Sequence, residues 1–515
     1  GMLMGVRANA RDSSRLSTLT FKADYTNQFN KYHLFKTGIE FVYDDYNMNY
    51  GAINRALPTG RPWTRWHRSP IRGAFYIQDK IEYEEFIANV GLRFDYIDPQ
   101  GTWYAVDPFD TRFFTRDFVE GTEDQFPQKP VKRQLYISPR LGVSHPINEY
   151  TKLFFNYGHF RQMPPSNRMF NVQRVTDRSV SIIGDPNLPL QKTVAYELGF
   201  EQSLWNTYLI RLATYYKDIT NQPNLVRYIG YGQSSAVNYR KAAANFYEDI
   251  RGFELTVEKR TGRWFTGFFN FTYQVSTFGY FGSLEIHQQR AAQERYEREN
   301  PAVQYKPRPR PYLRLNLQFH TPENYGARYG NIRPFAGWNV SMLSTWRAGR
   351  YFTWTNNIDI PGLRYNMKWK DYFNVDLRVS RIFRVKPFRF KFFLNITNLF
   401  NYKYWPFLGV GPSGFVDGTD YTNYMRSLRL PKEIADKFNY VPKNGYGNDK
   451  PGDYRPLNVP YDPLEPNPNN DPEIEARNQQ RIKNKSYIDN PGMTYLQFLN
   501  PRDVYMGIEV SFDLK

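Results

Sequence analysis

Asp503-Val504-Tyr505-Met506-Gly507-Ile508-Glu509-Val510-Ser511-Phe512-Asp513-Leu514-Lys515 closes the chain, and its reading decides the fold. Val504, Met506, Ile508, Val510, Phe512 and Leu514 share one side of an alternating pattern. Tyr505, Gly507, Glu509, Ser511 and Asp513 share the other. Successive side chains of a β-strand point to opposite faces. An apolar line opposite a polar line therefore describes a strand with oil on one side and water on the other.

The pattern recurs upstream. In 263–276, Phe265, Phe269, Phe271, Tyr273 and Val275 oppose Thr266, Asn270, Thr272 and Gln274. In 372–384, Phe373, Val375, Leu377 and Val379 oppose Asn374, Asp376, Arg378 and Ser380. In 388–401, Phe388, Phe390, Phe392, Leu394 and Ile396 oppose Arg389, Lys391, Asn395 and Thr397. About fifteen strands follow from this reading: 16–29, 33–47, 71–83, 86–97, 133–146, 151–162, 193–204, 207–220, 250–260, 263–276, 311–321, 332–347, 372–384, 388–401 and 503–515. Their polar faces carry charge, which points to a wet or protein-filled interior rather than a dry core.

The joins alternate in length. Short turns are expected at Asn30–Lys31, Glu84–Glu85, Asn148–Tyr150, Trp205–Asn206, Thr261–Gly262 and Val385–Pro387, with a somewhat longer one at Pro322–Gly330. Long joins fall at 48–70, 98–132, 163–192, 221–249, 277–310, 348–371 and 402–502. Outer-membrane barrels have short periplasmic turns and long extracellular loops. With the C-terminus in the periplasm, every long join falls outside and every short one inside. A soluble sandwich has no reason to keep that phase.

Composition agrees. The 515 residues hold 41 Tyr and 40 Phe, and Tyr suits the interfacial girdles of a barrel. Mean hydropathy is −0.68 and no run of about 18 apolar residues occurs, which excludes a helical membrane protein but not a barrel. The chain has no Cys, so disulfides, thiol catalysis and Cys-ligated metals are excluded. The net charge of +18 is spread through strands and loops without a dominant basic block. It fits outer-leaflet phosphates (lipid and lipopolysaccharide) or anionic cargo, and no nucleic acid is expected as a partner. Residues 1–7 lack the layout of a signal peptide. A closed antiparallel barrel needs an even strand number, so at least one strand is expected upstream, with residues 1–8 as its tail.

Several segments resemble TonB-dependent receptors of the Bacteroidetes type, the subgroup with a carboxypeptidase-regulatory-like extension. Tyr76-Ile77-Gln78-Asp79-Lys80 followed by Gly91-Leu92-Arg93-Phe94-Asp95-Tyr96 resembles the family's paired "YxQDxW/K…GLRYD" strands. Ser138-Pro139-Arg140-Leu141-Gly142-Val143-Ser144 with Asn156-Tyr157-Gly158-His159-Phe160-Arg161-Gln162-Met163-Pro164-Pro165 resembles its "SPRxGxS…YGxFxQxPP" hairpin. Gly184-Asp185-Pro186-Asn187-Leu188 with Tyr196-Glu197-Leu198-Gly199, and Asn398-Leu399-Phe400-Asn401 with Tyr404, are similar to two further family segments, in the family's order. Leu190-Gln191 replaces a usual Pro-Glu, and Phe512-Asp513-Leu514-Lys515 replaces a terminal aromatic. The resemblance implies an all-β, transmembrane antiparallel β-barrel of 22 strands. This chain would supply about fifteen of them, as a partial barrel over 1–515 with 402–502 a long extracellular loop. It implies a plug domain that is not in this chain. It also implies uptake of a scarce nutrient across the bacterial outer membrane, energised by the TonB complex through that plug, with a surface lipoprotein lid as a further partner.

Candidate site residues are few. Arg61-Pro62-Trp63-Thr64-Arg65-Trp66-His67-Arg68 combines indoles and guanidiniums, which suit anionic or sugar-like ligands through stacking and charge. Trp63, Arg65, Trp66 and Arg68 are the candidate substrate-binding residues, against the plainer reading that they belong to the outer aromatic girdle. Tyr402, Tyr404 and Trp405 read as girdle residues. The six His residues have no zinc-ligand spacing, and the Asp-rich pieces 448–449 and 469–471 lack the spacing of an EF-hand. Neither a metal nor a cofactor is expected, and no catalytic motif appears. His67 with Asp107 or Asp110 is the one set that can be forced towards a rim hydrolase. Helices are expected at 288–299, 431–438 and 473–483. The rival to transport is a barrel that acts as a surface adhesin or assembly scaffold.

Overall fold

A computed structural model describes residues 10–52, 63–231, 236–330, 333–352, 364–365, 367–369, 371–385, 387–402, 467–476 and 501–512. Fifteen strands of nine or more residues run among them: β1 (Arg15–Gln28), β2 (His33–Ala52), β3 (Ile71–Tyr83), β4 (Phe86–Asp98), β5 (Gln134–Asn148), β6 (Thr151–Gln162), β7 (Gln191–Leu204), β8 (Tyr208–Ile229), β9 (Asn238–Lys259), β10 (Phe265–Tyr280), β11 (Tyr312–His320), β12 (Trp338–Arg347), β13 (Tyr372–Val385), β14 (Phe388–Thr397) and β15 (Asp503–Phe512). By contacts the chain divides into two units: Gly1–Phe200 with Ala213–Gly252 and Ser276–Lys306, and Glu201–Leu212 with Phe253–Val275 and Pro307–Lys515.

In the first unit β1 to β6 form consecutive antiparallel pairs, and register sorts their side chains by face. One rung reads Ala23–Ile39–Phe75–Phe94–Ile137. The next reads Asp24–Gly38–Tyr76–Arg93–Ser138. Slipping any strand by one residue would move its whole apolar set to the wet face, so the alternation itself enforces the register. Ile39, Phe75 and Ile137 of the apolar rung are exposed, the arrangement that the sequence reading expects of a face turned to hydrocarbon. On the polar rung the Tyr76 hydroxyl donates to Asp24 Oδ1 at 2.6 Å across Gly38. A Cβ at Gly38 would lie 2.5 Å from both partners, so glycine there leaves room for the bond.

In the second unit β10 to β15 are likewise antiparallel, with a rung Phe265–Phe319–Val340–Val379–Leu394–Met506. The adjacent rung is Thr266–Gln318–Ser341–Arg378–Asn395–Tyr505. The Trp205-Asn206 turn of this unit has both residues at φ +50°, the twist that a two-residue hairpin needs.

Four boundaries differ from the sequence reading. β8 and β9 continue through most of the expected 221–249 loop. Where both faces of a hairpin meet water or protein, backbone pairing proceeds without alternation. β2 runs on to Ala52, and Trp63–Arg68 pairs back onto it, so both described flanks of the 48–70 join are strand. The strand expected at 332–347 begins only at Trp338, which lengthens the preceding turn. There Arg333 donates to the Asn324 and Gly326 carbonyls at 3.0 and 2.7 Å, and Arg381 donates to the Pro334 carbonyl at 2.8 Å. Fourth, Val180–Ile183 and Glu285–His287 are short strands that pair in parallel with β9 and β8. At the N-terminus Ala10–Asp12 pairs with the end of β2. The expected strand tail at 1–8 lies outside the described residues.

The helix expected at 288–299 occurs as Arg290–Glu299, with Arg290–Glu294 and Arg295–Glu299 ion pairs one turn apart. Residues 472–476 are helical. The rest of the 473–483 expectation, and all of 431–438, lie outside the described residues.

Candidate functional site

Two features stand together in the first unit: a charged wall and a folded mass of loops. The wall is the polar face of β2 to β6. Arg93 sits between two carboxylates, its Nε donating to Asp95 at 2.7 Å and an Nη to Glu40 at 3.1 Å. Arg72 donates twice to the almost fully buried Asp44, at 3.1 and 2.8 Å, and the Thr18 hydroxyl adds a third bond to the same group. Such charge-assisted pairs fix geometry more than they add stability, because desolvation offsets much of the attraction. Arg140 lies over the Phe160 ring at 4.9 Å and Arg161 over the Tyr136 ring at 4.5 Å. A cavity of about 130 Å³ opens where this wall meets the loops, lined among others by Arg72, Arg93, Arg161, Met163 and Leu190.

The loops at the long-join end are built around aromatics. Residues 99–133 bring Trp103, Phe113 and Phe114; residues 163–190 bring Val180 and Ile183; the β8–β9 hairpin brings Val237 and Tyr239. Phe114 stacks on Tyr239 with centroids 3.9 Å apart and planes within 6°. Tyr228 stacks on Tyr239 at 5.2 Å. Trp103 Nε1 donates to the Gly184 carbonyl at 3.2 Å. A Cβ at Gly184 would sit 2.7 Å from the Met169 carbonyl, so only glycine permits this approach. Arg174 lies 3.3 Å above the Phe118 ring and donates to the Phe113 and Arg178 carbonyls, both at 2.9 Å. Burial among these rings pushes its guanidinium down to about 10.

Asp110 starts the turn Thr111–Phe114 by accepting the Arg112 amide at 2.8 Å. The hydrogen bond from the Arg112 side chain holds its carboxyl below the usual carboxylate range. A folded-state value below the unfolded one gives stability that is present at neutral pH and is lost as pH falls through the folded value. Asp110→Ala should weaken this turn by about 1 kcal/mol, read as faster amide exchange at Phe113 and Phe114.

Strand geometry divides the four residues singled out in the sequence. Trp63 and Arg65 point one way and meet at Asn49 Oδ1, at 2.5 and 3.1 Å. Trp66 and Arg68 point the other way, into the loops. Trp66 packs 5.8 Å from the buried Phe170, its Nε1 without an acceptor among the described residues, and Arg68 lies 5.9 Å over Trp103. The four therefore form two pairs rather than one cluster. His67 pairs with Asp45 at 2.5 Å, whereas Asp107 and Asp110 are engaged in their own turns, so no hydrolase set assembles there among the described residues. Tyr402 donates to the Asp371 carbonyl at 3.0 Å, and Tyr404 and Trp405 lie outside the described residues.

The family described as "TonB dependent receptor-like, beta-barrel" matches residues 5–399, more than half of the chain. The chain belongs to this receptor family. It is thus an outer-membrane β-barrel, and the apolar rungs face lipid. No curated protein sequence matches it. Similar solved structures include the ferric-catecholate import receptor Fiu of Escherichia coli K12 at 15% identity, covering 76% of this chain and 52% of that one with a TM-score of 0.47. The hemophore receptor HasR of Serratia marcescens is 17% identical, covering 77% and 57% with a TM-score of 0.49. The FrpB iron transporter of Neisseria meningitidis is 14% identical, covering 76% and 52% with a TM-score of 0.48. The chain spans about half the length of these proteins. In this TonB-dependent receptor barrel the charged wall is the lumen face, and the aromatic loops stand on the extracellular side.

The sequence reading missed Arg72, Arg93, Arg140 and Arg161 as a group. Arg72, Arg93 and Arg140 occupy the polar phase of their strands, and that phase was the available signal; Arg161 falls in the opposite phase to Gly158, which pairs with Arg140, and only its contact with the Tyr136 ring brings it to this patch. It missed the loop core entirely, because Trp103, Phe114 and Tyr239 come from segments with no common period.

Proposed function

We propose that this barrel is the wall of an outer-membrane transporter that captures a scarce nutrient and is energised by TonB. The family match over residues 5–399 supports this reading most strongly. The 22-strand count, the plug in the lumen, the TonB complex as partner, lipid and lipopolysaccharide on the outer face and a surface lipoprotein lid are parts of the same proposal. Trp66 and Arg68 stand on the loop side, where they would contact cargo entering the lumen. Trp63 and Arg65 stand on the opposite face of their strand.

The test compares cells with and without the receptor for uptake of a labelled panel of ferric siderophores, haem, cobalamin, oligosaccharides and peptides. Receptor-dependent uptake of one class is expected, and it should be abolished by a protonophore or by loss of TonB. Equal uptake throughout, with altered cell adhesion, would overturn the reading in favour of a surface scaffold.

A further inference from the structure

Hydrogen-bond donors outnumber acceptors on one patch of the lumen wall. β4 and β5 pair so that Asp95 faces Tyr136, Arg93 faces Ser138 and Gly91 faces Arg140. These residues share the polar face, and Arg140 is thus a diagonal neighbour of Arg93. The patch has two carboxylates, Glu40 and Asp95, and both are engaged by Arg93. Arg140 and Arg161 have only aromatic rings beneath them and no carboxylate partner among the described residues. Two donors here are buried and have no acceptor among the described residues: Ser138 Oγ and Arg161 Nε. Buried donors are ordinarily satisfied, and an orphan costs about 1–3 kcal/mol. A site that leaves two guanidiniums and a hydroxyl without acceptors is complementary to an oxyanion, which the planar guanidinium fork binds through two oxygens.

We propose that Arg140, Arg161 and Ser138 form a subsite for a carboxylate- or phosphate-bearing ligand, entered from the extracellular side. Of the three, Arg161 lines the cavity of about 130 Å³, beside Arg72 and the Glu40–Arg93–Asp95 group, and that cavity is far smaller than the ~300–1,000 Å³ of a complete small-molecule site. It therefore takes the acidic group of a ligand and not its whole body. The subsite rests on the transport reading for its biological role, since the acidic group would belong to the cargo.

The complete receptor, purified in detergent and stripped of lipopolysaccharide, is titrated calorimetrically at low salt with citrate and with inorganic phosphate. Glycerol serves as the neutral control. Saturable binding of an anion and none of glycerol is expected. Arg161→Gln and Arg140→Gln should each weaken it about tenfold or more, and Ser138→Ala less. Arg161→Lys keeps the charge without the fork and should fall between, which preserves the test where Arg161→Gln fails to assemble. Each variant must retain heat-modifiable mobility. Wild-type-like binding by both Gln variants would overturn the proposal. So would failure of the wild-type receptor to bind either anion, the result expected if a carboxylate from another part of the receptor already fills the subsite. The measurement uses neither TonB nor energy, so it fails or succeeds independently of the uptake test.

Discussion

Phe113→Ala is expected to detach the extracellular loops from one another while leaving the membrane wall assembled. Phe113 is fully buried and packs edge-on against Phe114 and Phe126, with centroids 4.8 and 4.9 Å away, and against Tyr104 at 4.9 Å. Truncating a buried Phe costs about 3–5 kcal/mol, from lost transfer energy and the cavity left behind. That cost falls on a structure with little in reserve, because the loop core is one small aromatic cluster. Its members come from 99–133, 163–190 and the β8–β9 hairpin, so loss of the central ring releases all three. Arg174 adds to the effect, since its guanidinium lies over Phe113 as well as Phe118 and donates to the Phe113 carbonyl. Limited proteolysis of the complete receptor in membranes should show new cleavage in 99–133 and 163–190, with unchanged heat-modifiable mobility. Cleavage confined to 99–133 would mean that the three segments are not one cooperative unit. Unchanged resistance would mean that other contacts hold the loops.

The contrast between wall and loops explains what was legible in the sequence. A lipid-facing strand must alternate, because hydrocarbon accepts no polar side chain. Phe373, Val375, Leu377 and Val379 could therefore be placed on one face from their spacing alone, and the register agrees. Once β8 and β9 rise above the bilayer that demand ends. Residues 221–229 and 238–249 then read as loop although their backbones remain paired. Trp63, Arg65, Trp66 and Arg68 show the opposite difficulty. Their chemistry was visible, but the residue-by-residue alternation that divides them required knowing that the segment pairs with β2. The loop core was out of reach for a third reason: Phe114 and Tyr239 are 125 positions apart in the chain, and nothing periodic connects them. The subsite arginines were half legible. The phase of Arg140 could be read, whereas the approach of Arg161 to the same patch and the shortage of acceptors around them needed coordinates.

Ile77→Arg and Gln78→Arg, one residue apart on β3, should differ by about 2 kcal/mol or more in the stability of the assembled barrel. Ile77 is the central residue of β3 and lies on the rung Tyr25–Thr37–Ile77–Leu92–Pro139. Ile77 and Leu92 are exposed there. An arginine on the lipid face near the bilayer midplane costs about 2–4 kcal/mol. Gln78 lies on the next rung, between Lys36 and Gly91, with Arg140 beyond. An arginine there stays hydrated and meets only like charge, a penalty of a few tenths of a kcal/mol across a wet strand pair. The expected order is wild type, then Gln78→Arg slightly lower, then Ile77→Arg far lower, measured as urea midpoints of the complete receptor folded in lipid vesicles. If the two substitutions cost the same, the strand is not between oil and water. If the order is reversed, the lumen and lipid faces have been assigned the wrong way round, and the anion subsite would face lipid, where no soluble ligand reaches it.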